Sequence, residues 1–125
     1  MIKKNICDKL KKQCISGQII LSNFRLLSED SKKTAVYTDH SHFPFYYYLG
    51  QEIFPKNLLE IGLGLGLCSG CFLRSCKSVE HFFAFQEVSG EYYSPRIAIH
   101  NLKNCFKKEL DIYAGKTTDA KFVDN

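Results

Sequence analysis

The stretch NLLEIGLGLGLCSG, residues 57–70, runs a short apolar segment carrying one carboxylate, Glu60, straight into Gly62, Gly64 and Gly66. A strand that turns at once into a helix needs residues free in φ and ψ, and a ligand lying against the backbone needs positions without Cβ. The three glycines meet both needs. The dinucleotide pattern G-x-G-x-x-G works by seating a pyrophosphate on a helix N-terminus. Counted from Gly62 and Gly64, its third glycine is Leu67; counted from Gly64 and Gly66, it is Ser69. The standard fingerprint is therefore absent, and no G-x-x-x-x-G-K-[ST] offers a P-loop. Glu60 also argues against a phosphate, which a carboxylate repels, and in favour of a cationic group. Close packing alone also calls for glycine-rich turns, so the loop does not decide the ligand by itself.

Outward from this loop the pattern is regular. The apolar strand at 57–62 is followed by a helix from about 67 to 76, a strand at VEHFFAFQE (79–87), a helix at SPRIAIHNLKNCF (94–106) and a strand at ELDIYAG (109–115). KTTDAKFVDN then begins an element that it does not finish. Alternating strands and helices imply parallel pairing through crossovers, half of a doubly wound α/β sheet. HFFAF carries apolar residues on both faces, as an interior strand covered by helices on both sides would. LDIYA alternates Leu110, Ile112 and Ala114 with Asp111 and Tyr113, which suits an edge. The glycine strand then lies beside the second strand.

Before the loop, Ile2, Ile6, Leu10 and Cys14 recur every four residues among lysines, the stripe of a short amphipathic helix ending near Gly17. Its apolar stripe is read as packing on the domain rather than on a membrane or RNA. QIILSNFRLL fits strand or helix equally. Ser41 is expected as an N-cap and Pro44 in the first turn of an aromatic helix that ends before Pro55.

A chain of 125 residues, 45% hydrophobic and 24% charged, suits one globular domain or part of one. The net charge of +4 is too modest and too dispersed to imply a nucleic-acid partner. There is no apolar run long enough to span a membrane and no secretory apolar segment, so a soluble, cytoplasmic protein with free thiols is expected. Cys68-x-x-Cys71 suggests a metal, but Cys68, Cys71, Phe72 and Cys76 fall on one helical face and no second ligand pair completes a site. These residues are read as sheet packing and no metal is expected. Arg74 and Lys77 suit the negative end of that helix. Asp39, His40 and His42 could supply a base or bind metal, yet nothing completes a mechanism and a solvated cap is the simpler reading. FPFYYYL is read as helix packing, lacking the positive charge of a base-stacking platform.

LEIGLGLG followed by a helix, with a carboxylate closing the next strand at AFQE, resembles motif I and the following acidic position of class I S-adenosylmethionine-dependent methyltransferases. The resemblance covers residues 57 to about 119, roughly half of a complete domain of that family. It implies a Rossmann-like three-layer sandwich with a parallel sheet, incomplete and holding the first three strands. The amino-terminal helical or capping segment is 1–56 and the first half of the cofactor domain is 57–125. It further implies that Glu60 holds the methionyl end of S-adenosylmethionine, that Gly62, Gly64 and Gly66 lie beneath methionine and ribose, and that Glu87 takes the ribose hydroxyls. Glu87 stands 21 positions after Gly66. Val88 would pack near the adenine. Where the family often has Gly-Asp after the third strand, this chain has Gly115-Lys116, with Asp119 as a weak substitute. Tyr37, Asp39 and His40 precede the glycine strand in a region that often caps the cofactor pocket.

On this reading the catalytic residues and the methyl acceptor are unknown, and the opposite wall of the cofactor crevice lies outside the three strands. The first strand would be left as an apolar edge for a homodimer or partner chain. The alternatives are a noncatalytic Rossmann-like interaction module pairing through that edge and, more distantly, a fragment of an NAD(P)-binding oxidoreductase.

Overall fold

A computed structural model describes residues 22–24, 42–87 and 94–115. Helix α1 (Phe43–Glu52) leads to strand β1 (Asn57–Ile61), helix α2 (Leu67–Ser75), strand β2 (His81–Gln86), helix α3 (Pro95–Lys103) and strand β3 (Leu110–Ala114). Pro44 and Pro95 sit in the first turns of α1 and α3, where a missing N–H costs nothing. His42, not Ser41, is the N-cap residue of α1, and it makes no side-chain cap bond. Ser41 lies outside the described residues, as do Tyr37, Asp39, His40, Val88, Lys116, Asp119 and the whole of the amino-terminal stripe. The helix ends at Glu52 because Pro55 pushes its predecessor to extended backbone, and the Ile53 N–H closes the last turn on the Leu49 carbonyl at 3.1 Å.

The strands form one parallel sheet in the order β1-β2-β3, so the second strand is interior and the third lies at the edge, as the sequence pattern requires. Ile61 pairs with Phe85, and Phe85 with Tyr113, which fixes the register across all three. One face, carrying Leu58, Phe82, Ala84, Leu110 and Ile112, packs under Phe72, Leu73 and Cys76 of α2 and its end and Ala98 and Leu102 of α3. The opposite face departs from the sequence reading. HFFAF was expected to be covered on both sides, yet Phe83 is 40% exposed, beside Leu59 at 54% and Ile61 at 69%. The physical reason is topological: both crossover helices pack on the same face, and the described residues cover only that one.

A second cluster joins Phe43, Leu65, Leu67 and Cys71 where α1 meets the glycine turn. Cys71 therefore belongs to this helix interface rather than to the sheet-packing stripe, whose deeper members are Phe72, Leu73 and Cys76. The backbones of α1 and α2 approach closely at Gly50, where a Cβ would collide with Ser75 Oγ and the Phe72 carbonyl. Ser75 Oγ donates to the Tyr47 carbonyl across the same contact. Arg74 does more than face the helix dipole. Its guanidinium donates to the Ser22 carbonyl at 2.5 Å and lies 4.3 Å from the centre of the Phe24 ring. Cys68, Cys71, Cys76 and Cys105 are unbridged. No helix among the described residues is long and apolar enough to cross a membrane, and no three His, Cys, Asp or Glu residues among them gather as a metal site.

Candidate functional site

The parallel register brings three segments together at the carboxyl ends of the strands: the glycine turn after β1, Glu87 after β2 and Gly115 after β3. In open α/β sheets this end of the strands is where ligands bind. The turn is pinned at its root by the Gly62 N–H, which donates to the Phe85 carbonyl at 2.8 Å, and β3 is tied in by the Gly115 N–H on the Gln86 carbonyl at 2.8 Å.

All three glycines of the turn have positive φ, at 84° for Gly62, 56° for Gly64 and 72° for Gly66. Two of them do different work. A Cβ on Gly66 would stand 3.1 Å from Leu102 Cγ and 3.2 Å from the Ala98 carbonyl, so this glycine lets α3 pack against the start of α2. A Cβ on Gly62 would meet nothing within 4 Å. Among the described residues the side of the turn at Gly62 is open, while the side at Gly66 is filled by the protein's own helix.

Two residues that the sequence reading passed over hold the turn in shape. Gln86, the last residue of β2, accepts the Gly64 N–H on Oε1 at 2.7 Å and donates through Nε2 to the Glu87 carbonyl at 2.7 Å. Asn101 of α3 is fully buried and donates through Nδ2 to the Leu65 carbonyl at 2.9 Å. The signal for Asn101 was available: a polar residue three positions after Ala98 and next to Leu102, on the apolar face of its helix. Gln86 gave no comparable signal, since a glutamine at a strand end is ordinarily solvated.

Glu60 sits on the helix-covered face of β1, partly buried under α2, and its Oε2 accepts the Ser69 hydroxyl. Ser69 thus stands at the position of a dinucleotide third glycine and uses its hydroxyl to hold this carboxylate. Burial pushes the Glu60 carboxyl up to about 7, and the Ser69 bond opposes that rise only in part. Tyr46 of α1 faces the same place. Burial, then the neighbouring Cys68 and Glu60, raise its hydroxyl above the ordinary tyrosine range. The aromatic helix therefore supplies a polar group beside the carboxylate as well as packing. Glu87 is exposed at the mouth of the strand ends. His42 is exposed at the start of α1, and the partners considered with it, Asp39 and His40, fall outside the described residues.

The arrangement is a preformed glycine turn, open on one side, with a partly buried carboxylate at its root and an exposed one where the next strand ends. No protein-family model and no curated protein matches this chain in sequence. Solved structures do match in shape. A putative O-methyltransferase from Klebsiella pneumoniae has a TM-score of 0.50 and 13% identity, over 94% of this chain and 46% of that one. The fold is a Rossmann-like α/β fold. The methyltransferase PaMTH1 of Podospora anserina, crystallised with S-adenosylhomocysteine, has a TM-score of 0.48 and 12% identity, over 94% of this chain and 52% of that one. The chain thus spans about half the length of these structures.

Proposed function

We propose that the glycine turn binds S-adenosylmethionine and that the chain forms one wall of the cofactor crevice of a methyltransferase. Glu60 is the observation that carries this reading. A carboxylate held partly out of water with no cation described beside it is costly in its charged form, and a cationic ligand group relieves that cost. The methionyl ammonium and the sulfonium are such groups; a pyrophosphate is the opposite. In this reading Gly62, Gly64 and Gly66 form the floor, with Gly62 on the open side, and Glu87 takes the ribose hydroxyls, for which two carboxylate oxygens are well suited. Val88, next in the sequence, is assigned in the same reading to the adenine. The transfer itself is an in-line displacement of a methyl group from sulfonium to nucleophile, governed by positioning. These residues hold and orient the donor, and no residue of the chain is assigned as a base.

Isothermal titration tests the proposal. S-adenosylmethionine is expected to bind in the micromolar range and NAD not at all, with binding lost in Gly64→Arg and in Glu87→Ala. A folded chain that binds neither ligand would sink the cofactor reading.

A second reading rests on Leu59, Ile61 and Phe83, whose exposure on adjacent strands makes an apolar patch on the uncovered face. Here the chain is a Rossmann-like module that pairs through β1 and this face with a second copy or a partner chain. The two readings are compatible if the partner supplies the other wall of the crevice.

A further inference from the structure

At the opposite end of the strands from the glycine turn, α3 and β3 leave a groove of about 510 Å³. Its floor is apolar, formed by Ile99, Leu110 and Ile112, and its rim carries Lys103, Lys107 and Lys108 against a single acid, Glu109. Leu110 and Ile112 are alternate residues on one face of β3, and Ile99 is 38% exposed on the facing helix. Among the described residues β3 has a neighbour on one side only, so its outer backbone edge is open. We propose that this groove captures an extended acidic segment of a partner protein, added to β3 as an antiparallel strand.

An open strand edge offers main-chain bonds, and alternate side chains of the guest fall on the groove side at the spacing of Leu110 and Ile112. Charge fixes the polarity. Lys107 and Lys108 precede the first residue of β3, so an antiparallel guest brings its carboxyl-terminal end to them. Antiparallel ladders are also the more stable per residue. The lysines are placed rather than free to wander: Lys107 Nζ donates to the Lys103 carbonyl at 2.6 Å, and Lys108 Nζ to the Val79 carbonyl at 2.9 Å. Each ammonium has three donors, so one such bond leaves capacity for a carboxylate. Capping of the α3 carboxyl end accounts for lysines there, but not for an exposed isoleucine beside two strand residues that form an apolar floor. The guest therefore alternates apolar residues with small polar ones and ends in several acids.

The test uses the full chain and a dye-labelled peptide, Thr-Val-Thr-Val-Thr-Val-Asp-Asp-Asp, followed by fluorescence anisotropy and by amide exchange over residues 110–114. Saturable binding is expected, weakened at least about tenfold by Lys103→Glu and by Ile99→Asp, weaker in high salt, and accompanied by slowed exchange in β3. Both positions are on the solvent side of α3, and thermal melts check that each variant folds. Binding unchanged in both folded variants overturns the site, as does no binding at all. Equal binding of an oligonucleotide or of anionic vesicles overturns the acidic-strand guest in favour of a general basic surface. Equal binding of Asp-Asp-Asp-Thr-Val-Thr-Val-Thr-Val overturns the antiparallel orientation.

Discussion

Glu60 couples a proton to stability and, under the proposed function, to ligand binding. Its folded pKa, about 7, lies above the ordinary glutamate value of 4.5, so between those values the folded chain holds a proton that the unfolded chain has released. Stability therefore falls as pH rises from about 4.5 to about 7 and levels off beyond, by at most a few kcal/mol. Glu60→Gln keeps the hydrogen-bonding shape without the charge. It is expected to melt higher than the wild type at pH 8 and nearly level with it at pH 5, as read by calorimetry. Under the proposed function the ligand responds in the opposite sense: a cation binds the ionised form, so S-adenosylmethionine affinity falls as pH drops below about 7, and Glu60→Gln loses that dependence together with the affinity. A variant that melts no higher at pH 8 would show that the carboxylate carries no burial cost. Glu60 was legible as an acid before glycines, but its burial and its Ser69 partner required α2 to be in place.

At the scale of the element, the strand, turn and helix around the three glycines were legible because local chemistry forces them. A strand that reverses into α2 within the five residues between Ile61 and Leu67 admits little besides glycine at positive φ. What was not legible was the division of labour within the turn, because it depends on α3, which follows in sequence but packs against Gly66. Gly66→Ala adds a left-handed backbone penalty and presses on Leu102 and the Ala98 carbonyl, so it is expected to cost about 2–4 kcal/mol in denaturant unfolding. Gly62→Ala meets open space and carries mainly the backbone term of about 1–2 kcal/mol. The contrast matters for function. If the open side receives the ligand, Gly62→Ala loses more binding than stability, while Gly66→Ala loses stability first; equal losses in both would assign the two glycines the same structural role. Gln86 and Asn101 escaped notice for the same reason, since each binds the turn from an element whose approach no local pattern announces.

At the scale of the molecule, strand order and parallel pairing followed from alternation and element order, whereas the uncovered face did not. HFFAF is apolar at four consecutive residues, Phe82 to Phe85, which ordinarily means two covered faces, yet only one is covered among the described residues. The pattern was thus correct about the demand for burial. Three large apolar side chains side by side on a sheet are uncommon on the surface of a monomer, so that demand calls for a cover. If a second copy meets it, sedimentation velocity of the full chain shows a dimer that strengthens with concentration, and Ile61→Lys with Phe83→Lys returns it to a monomer. Both side chains are already substantially exposed, so the double variant is expected to change the unfolding midpoint little while abolishing association. A wild-type chain that stays monomeric and keeps this face accessible to an apolar dye points instead to a different partner. A large loss of stability in the lysine variant, without any change in mass, would mean that the chain itself covers the face in solution, and pairing through it would then be discarded.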